Sequence, residues 1–264
     1  MSGGAIQLIK VSQSTMKKLI IANWKCNPAT LKEAQKMFLA LRGGLKNNSK
    51  AEAVVCPPFV YLAEAAKVFK NQSSVKIGAQ NCFWEEKGAF TGEISPKMLK
   101  SLGVKYVILG HSERVMIMGE TNEMTARKVN AVLKLGLTPI VCIGETAEER
   151  KQGKTSIILE KELKESLQGV AKNQMTKIVL AYEPLWAIGT GKACSVDEAV
   201  KAANVLRRTR KAPILYGGSV HSQNAAGYIA ARLDSARQAG LDGLLIGGAS
   251  LDPKEFLAII KQIR

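Results

Sequence analysis

The stretch YVILGHSE, residues 106–113, contains the two features that predict the fold: a short apolar run and a polar cluster directly after it. Four apolar residues in a row, without polar alternation, indicate a β-strand that is buried on both faces. Strands of that kind belong to parallel sheets covered by helices. We therefore expect this stretch to be one strand of a parallel sheet, with its polar residues at the C-terminal end of the strand.

The same pattern recurs along the whole chain. The eight predicted strands are 19–22, 53–56, 75–79, 106–109, 139–143, 178–182, 214–216 and 243–246. Between them lie amphipathic segments with helix signals, such as the capping boxes that begin at Thr30 and Ser195. Eight strand–helix units in 264 residues predict an α/β protein with a single closed (β/α)8 barrel, which typically needs about 250 residues. An open doubly wound sheet is the alternative, but the first strand runs into NWKCN at 23–27 instead of a GxGxxG turn.

Composition excludes several classes of protein. Hydrophobic residues make up 46% of the chain and charged residues 23%, which provides enough apolar material for a large core and argues against disorder. No stretch approaches the roughly 18 uninterrupted apolar residues of a membrane span, so no membrane partner is expected. The five cysteines form no CxxC pair, which favours a reducing, cytoplasmic location over a disulfide framework. Because there are only two histidines, no metal site is expected.

The net charge of +16 indicates a surface that attracts anions. Nucleic acid and a small phosphorylated metabolite are both partners that would suit this charge. The lysines and arginines are spread along the chain, mostly at helical spacing, and no basic run is interleaved with aromatic residues. Nucleic acid is therefore not expected as the main partner, and a phosphorylated substrate is favoured.

The first 15 residues read as a polar leader. Their apolar positions are broken by Gln7 and Lys10, which makes the segment a poor signal peptide. We expect residues 1–15 to form a flexible N-terminal extension and residues 16–264 to form the barrel domain that carries the activity.

Polar or glycine residues stand directly after six of the predicted strands, where barrel enzymes place their active sites. They are Asn23, Lys25, Gln80, Asn81, His111, Ser112, Glu113, Glu183, Gly217, Gly218, Ser219, Gly247 and Gly248. Each taken alone has an ordinary structural explanation, such as a solvated loop lysine or a helix-capping glutamate. Together they predict one site, because a barrel brings the ends of its strands to one mouth.

Two further patterns predict how the site handles its ligand. The glycine pairs at 217–218 and 247–248 follow adjacent strands, where backbone N–H groups and a short helix N-terminus can hold a phosphate. The segment EPLWAIGTGK, 183–192, combines a proline, a tryptophan and two glycines, which is typical of a lid with stiff ends and a mobile centre. The sequence thus predicts a phosphorylated ligand beneath a closing loop.

Eight segments resemble the triosephosphate isomerase family. They are NWKCN at 23–27, GAQNC at 78–82, GAFTGEIS at 88–95, ILGHSER at 108–114, VCIGE at 141–145, AYEPLWAIGTGK at 181–192, YGGSV at 216–220 and LIGGASL at 245–251. The similarity spans residues 16–264. It implies a TIM barrel that interconverts D-glyceraldehyde 3-phosphate and dihydroxyacetone phosphate in glycolysis and gluconeogenesis, without a metal or another cofactor.

The resemblance also implies roles for individual residues. Glu183 corresponds to the carboxylate base and His111 to an electrophilic histidine. This histidine acts as neutral imidazole because a helix N-terminus disfavours its protonation, and this family is the standard example of that effect. Lys25, Asn23 and Glu113 complete the implied catalytic set. The implied phosphate and substrate binders are Asn23, Lys25, Gly189, Ser219, Gly247 and Gly248, and residues 184–192 correspond to the lid.

The family forms homodimers through its third loop, which corresponds to residues 83–93, with Thr91 and Glu93 in the contact motif. This chain departs from the family on the outside of the barrel. Val115 replaces an arginine of the usual HSERR, the connection at 208–213 is shorter, and the helix near 225–239 is longer.

Two other functions compete with the isomerase. A Schiff-base aldolase would need a lysine inside an apolar strand; the sixth strand has none, and Lys76 in the third would disturb that strand's packing. A basic barrel that binds nucleic acid or serves as a scaffold is the non-enzymatic alternative. The charge favours it, and the complete set of Asn23, Lys25, His111 and Glu183 does not.

Overall fold

The strands form a closed parallel barrel. The computed structural model describes residues 17–46, 48, 51–188, 193–209, 211–230 and 240–263. Its strands are β1 (Lys18–Asn23), β2 (Ala51–Cys56), β3 (Val75–Ala79), β4 (Tyr106–Leu109), β5 (Thr138–Ile143), β6 (Val179–Tyr182), β7 (Ile214–Tyr216) and β8 (Gly243–Ile246). They pair in chain order, and β8 pairs back onto β1 to close the barrel. The predicted (β/α)8 barrel is confirmed, and each strand lies within two residues of its predicted bounds.

Helices cover the outside of the barrel. In the described residues they are α1 (Leu31–Gly44), α2 (Leu62–Phe69), α3 (Pro96–Ser101), α4 (Ser112–Met118), α5 (Asn122–Lys134), α6 (Ala147–Lys151), α7 (Thr155–Ser166), α8 (Val196–Thr209), α9 (Ala225–Ala230) and α10 (Pro253–Gln262). The two predicted capping boxes are present. Thr30 exchanges hydrogen bonds with Glu33, and Ser195 does so with Glu198. These bonds satisfy N–H groups that the first turn of each helix leaves free.

The core consists of two layers, one on each side of the strands. Inside the barrel, Ile21, Val54 and Ile108 belong to one cluster of buried side chains. Between the strands and the helices, Ile20 and Phe38 belong to a second cluster. Both faces of each strand are therefore buried, which explains the continuous apolar runs. Because side chains fill the barrel interior, the barrel is not a pore, and a site built from the strand ends lies at its mouth.

Several predicted features lie outside the described residues. These are the extension at 1–15 and the lid residues 189–192, which include the predicted phosphate binder Gly189. Of the long helix predicted near 225–239, the structure describes the part that forms α9. None of the helices in the described ranges is long and apolar enough to cross a membrane.

Candidate active site

A cavity of about 480 Å³ opens at the C-terminal ends of the strands. Its wall includes these residues from the predicted set: Asn23, Lys25, His111, Glu183, Gly217, Gly218, Ser219, Gly247 and Gly248. Glu113 stands behind the wall and contacts Lys25. The structure thus brings these nine residues to one place, in a volume suited to a small ligand. Gln80, Asn81 and Ser112 of the predicted set do not line this cavity.

His111 joins the end of β4 to the start of α4, where it is the N-cap residue. Its Nδ1 accepts a hydrogen bond from the Glu113 backbone N–H at 3.2 Å. Nδ1 is thus the acceptor of this ring, and Nε2 is the nitrogen that can donate. Nε2 lies 3.4 Å from Glu183 Oε1. The imidazole therefore offers an N–H donor at the cavity wall, beside a carboxylate.

Glu183 directly follows β6 and is 3% exposed. One of its oxygens, Oε2, accepts a hydrogen bond from the Ser112 backbone N–H at 3.2 Å, while Oε1 faces His111. The lack of a side chain at Gly217 gives this carboxylate its room, because a Cβ there would lie 2.8 Å from Glu183 Cγ. Glu183 is thus held between the ends of β4 and β7.

Lys25 adopts a strained backbone with φ of +53°, which is uncommon for a residue with a side chain. Three contacts hold this conformation. Gln80 Nε2 donates to the carbonyls of Lys25 (2.9 Å) and Cys56 (2.8 Å), and the Lys25 N–H donates to Asn23 Oδ1 at 3.1 Å. The ammonium Nζ then pairs with Glu113 Oε1 at 2.5 Å. Gln80 and Asn23 therefore place a positive charge at the cavity wall.

The loops after β7 and β8 form the part of the cavity wall between Glu183 and Lys25. A 3-10 helix, Gly248–Leu251, begins directly after Gly247. The Lys25 side chain passes so close to Gly247 that a Cβ at that position would lie 3.0 Å from Lys25 Cε. On the β7 loop, Ser219 Oγ donates to the Ala187 carbonyl at 3.1 Å, which ties this loop to the segment leading into 189–192. Backbone amides, a hydroxyl and a cation at one place suit an anionic ligand.

The end of β5 contributes two residues that the sequence reasoning did not assign. Glu145 is 1% exposed, and its Oε1 accepts hydrogen bonds from Tyr182 OH and Trp186 Nε1, both at 3.1 Å. Gly144 packs so closely that a Cβ there would lie 1.8 Å from the Glu183 carbonyl oxygen. The rule that selected polar residues after the other strands also selects Glu145, which follows the fifth apolar run.

Asn81, which the strand-end rule also selected, does not line the cavity. Its Oδ1 accepts from Lys128 Nζ at 3.0 Å, and the same ammonium pairs with the buried Glu120 at 2.5 Å. Arg114 Nε donates to Glu120 at 2.7 Å. Burial acts to raise the pKa of Glu120, but the hydrogen bonds from Lys128 and Arg114 outweigh it and lower that pKa. Asn81 thus completes a buried charge cluster behind α4.

A thiol lies against the candidate base. Burial, and then the charge of Glu183, raise the pKa of Cys142 well above its ordinary value. Cys142 is therefore a neutral thiol near neutral pH and packs as a small apolar side chain.

Known proteins resemble the chain over almost its full length. Residues 18–263 match the family model described as triosephosphate isomerase. A curated protein with that name from Dehalococcoides mccartyi is 44% identical over 258 residues, covering 94% of this chain and 97% of the relative. Namesakes from Dictyoglomus thermophilum and Thermoanaerobacter pseudethanolicus are 43% and 45% identical, each covering 93% of this chain and 99% of the relative. The crystal structure of triosephosphate isomerase from Bartonella henselae matches with a TM-score of 0.81 at 32% identity, covering 94% of this chain and 99% of that one.

Proposed function

The chain belongs to the triosephosphate isomerase family, and we propose that it interconverts D-glyceraldehyde 3-phosphate and dihydroxyacetone phosphate by proton transfer through an enediolate. This places it in glycolysis and gluconeogenesis. The observation that carries the proposal is the convergence of Glu183, His111 and Lys25 on one cavity. A carboxylate, an N–H donor and an ammonium supply the base, the hydrogen bond to oxygen and the counter-charge that an enolisation requires.

Glu183 acts as the base. Its carboxylate removes a proton from the carbon beside the carbonyl and returns that proton to the neighbouring carbon. One carboxylate serves both steps, because the two carbons are bonded to each other and both lie within its reach. No hydride passes to a second molecule and no net oxidation occurs, so this route uses no nicotinamide or flavin.

His111 and Lys25 stabilise the oxygens as negative charge develops on them. The Nε2–H of His111 gives its proton to the former carbonyl oxygen and recovers the proton of the neighbouring hydroxyl, so one proton passes between the oxygens while Glu183 moves the other between the carbons. The neighbouring ammonium of Lys25 balances the negative charge that develops on these oxygens. Glu113 supports both groups, since its N–H fixes the His111 tautomer and its carboxylate pairs with Lys25. Asn23 fixes the backbone of Lys25.

The phosphate of the substrate binds at the loops after β7 and β8, at Ser219, Gly247 and Gly248, with Gly189 as the proposed lid contact. The enediolate phosphate can lose its phosphate if it escapes or if water enters. Closure of the lid at 184–192 over the cavity prevents this side reaction and holds the phosphate in place.

Assembly and location complete the proposal. We assign the chain to a cytoplasmic homodimer that pairs through residues 83–93. In support, Met116, Ile117 and Met118 on α4 are 66–72% exposed, and Phe90 in the loop is 44% exposed. Clusters of large exposed apolar side chains mark interaction surfaces. The domain division, with an extension at 1–15 ahead of the barrel, belongs to the same proposal.

A coupled assay tests the function. Conversion of glyceraldehyde 3-phosphate is followed by enzymatic reduction of the dihydroxyacetone phosphate formed, in the presence of a chelator. Glu183→Gln should lower turnover by about 10²–10⁴-fold, the usual contribution of a positioned general base. Glu160→Gln, on the exposed face of α7, is the matched control and should leave turnover unchanged. Normal turnover in Glu183→Gln would remove the proposed base.

The same preparation tests the aldolase alternative. Among the described residues of the cavity wall, Lys25 is the only lysine, and it is paired with Glu113. Lys76 lies in β3, next to Val54 of β2, and is not part of that wall. Borohydride in the presence of substrate should therefore leave the mass of the protein unchanged. A trapped adduct would favour Schiff-base chemistry.

A further inference from the structure

Helix α7 lies outside the barrel, and none of its residues lines the cavity. One of its side chains nevertheless contacts the backbone next to the base. Glu162 Oε2 accepts a hydrogen bond from the Gly144 backbone N–H at 3.0 Å. Gly144 is the first residue after β5 and faces Glu183 across the gap between β5 and β6.

The contact between Gly144 and Glu183 leaves no free space. The Glu183 N–H donates to the Ile143 carbonyl at 2.9 Å, and the Leu185 N–H donates to the Glu145 carbonyl at 3.1 Å. These two bonds continue the pairing of β5 with β6 on both sides of Gly144. A Cβ at Gly144 would lie 1.8 Å from the Glu183 carbonyl oxygen. Rotation of the Ile143–Gly144 peptide would move the Ile143 carbonyl to which the Glu183 N–H donates, and so would displace the backbone of the base.

Because the Gly144 N–H bonds to α7 and not to β6, the carboxyl of Glu162 determines how this peptide is oriented. We propose that Glu162 is a positioning residue for Glu183, acting through the Gly144 peptide. The proposal rests on the function assigned to Glu183 above, and it adds a residue that touches neither substrate nor cavity.

The surroundings of Glu162 make this hold sensitive to pH. Burial raises the pKa of Glu162, the hydrogen bond from Gly144 lowers it, and nearby carboxylates raise it further, to about 7. The facing charged groups are Glu149 of α6, Glu145 of the β5–α6 loop and Glu165 of its own helix, all acidic. The ionised carboxylate accepts a charge-assisted hydrogen bond, which is roughly twice as strong as a neutral one. Acidification through neutral pH therefore weakens the hold on Gly144 and lowers turnover.

Two substitutions distinguish a role of Glu162 in positioning Glu183 from a role in stability alone. Glu162→Gln keeps an acceptor oxygen for the Gly144 N–H but cannot ionise. Glu162→Leu has a similar size and leaves that N–H without an acceptor. Glu160→Gln, on the exposed side of the same helix, is the control. The measurement is kcat and KM of the purified full-length protein between pH 5.5 and 9, together with the amide chemical shift of Gly144 over the same range.

The expected result has three parts. In wild type and Glu160→Gln, kcat falls on acidification with a midpoint near pH 7. Glu162→Gln lacks this transition, and its kcat at pH 8 stays within about threefold of the wild-type value. Glu162→Leu lowers kcat by roughly tenfold at every pH and changes KM by less than about twofold, the effect of one unpaired N–H on a positioned group. The Gly144 amide titrates near pH 7 in wild type and not in Glu162→Gln.

Two results would overturn the proposal: a wild-type pH profile in Glu162→Gln, or an unchanged kcat in Glu162→Leu. Absence of isomerase activity in wild type would instead overturn the proposed function. In that case the titration of the Gly144 amide still reports whether Glu162 holds the peptide, so the two failures are distinguishable.

Discussion

Replacing Gly144 by alanine is the most local way to displace the base without touching the cavity. The backbone of Gly144 does not have the positive φ that disfavours other residues, so only space is at issue. The new Cβ would lie 1.8 Å from the Glu183 carbonyl oxygen and 2.5 Å from the Glu183 carbonyl carbon, whereas ordinary contact begins at 3.4 Å. The segments that meet at Gly144 and Glu183 must therefore separate by about 1.6 Å.

A shift of that size is large for catalysis. Misplacement of a reacting group by about 1 Å can lower the rate by about 10²-fold, so kcat of Gly144→Ala should fall by at least that factor. KM should change little, because Gly247 and Gly248 lie on the β8 loop, away from the contact between Gly144 and Glu183. Steady-state kinetics in the coupled assay measure both quantities.

The control is Gly43→Ala, in the last turn of α1, where a Cβ meets nothing within 4 Å. It should keep wild-type kinetics and gain up to about 1 kcal/mol in stability, the difference in helix propensity between the two residues. If Gly144→Ala is folded by circular dichroism and its kcat stays within about threefold of wild type, the close packing at Gly144 does not position the base.

The remaining predictions concern stability and assembly. Glu162→Gln removes a carboxyl whose pKa of about 7 exceeds the ordinary 4.5. A raised pKa stabilises the fold while the group is protonated, and this contribution is lost as pH rises through 7. The variant should therefore be more stable than wild type by at most about 3 kcal/mol at pH 8, with a smaller gap at pH 5; equal urea midpoints at pH 8 would contradict this. Lys128→Met removes one of the two cations paired with the buried Glu120 and should cost about 1.5–3 kcal/mol in the same assay, the usual value of a hydrogen bond to a charged group. A loss below about 0.5 kcal/mol would show that the Lys128–Glu120 pair is dispensable. Ile117→Lys places a charge on the exposed apolar face of α4 and should shift sedimentation toward the monomer, whereas an unchanged dimer would exclude that face from the interface.

The barrel could be predicted because its strands carry an unambiguous signal. Residues 106–109 and 243–246 are continuous apolar runs, and the structure begins and ends β4 and β8 at those residues. The convergence of Lys25, His111 and Glu183 also followed from sequence, since each lies within two residues of the C-terminal end of a strand and a closed barrel brings strand ends together.

Other features of the site depend on pairings that a single sequence does not encode. Lys25 and Glu113 are 88 positions apart, and only the closed barrel places their side chains in contact. Glu145 could have been predicted from the sequence, because it follows β5 as the predicted residues follow other strands. Glu162 could not have been predicted, because a glutamate in the middle of a charged helix is typical of a solvated side chain. The role proposed for it depends on its contact with the Gly144 N–H, which the sequence does not reveal.

The most direct test of the account is isotope exchange at the substrate carbon. Dihydroxyacetone phosphate is incubated with the protein in deuterium oxide, and incorporation of deuterium into the triose phosphate is followed by mass spectrometry. Wild type should incorporate deuterium during turnover, and Glu183→Gln should do so at least about 10²-fold more slowly, because the carboxylate carries the proton between the carbons. Exchange at the wild-type rate in Glu183→Gln would show that another group takes the proton.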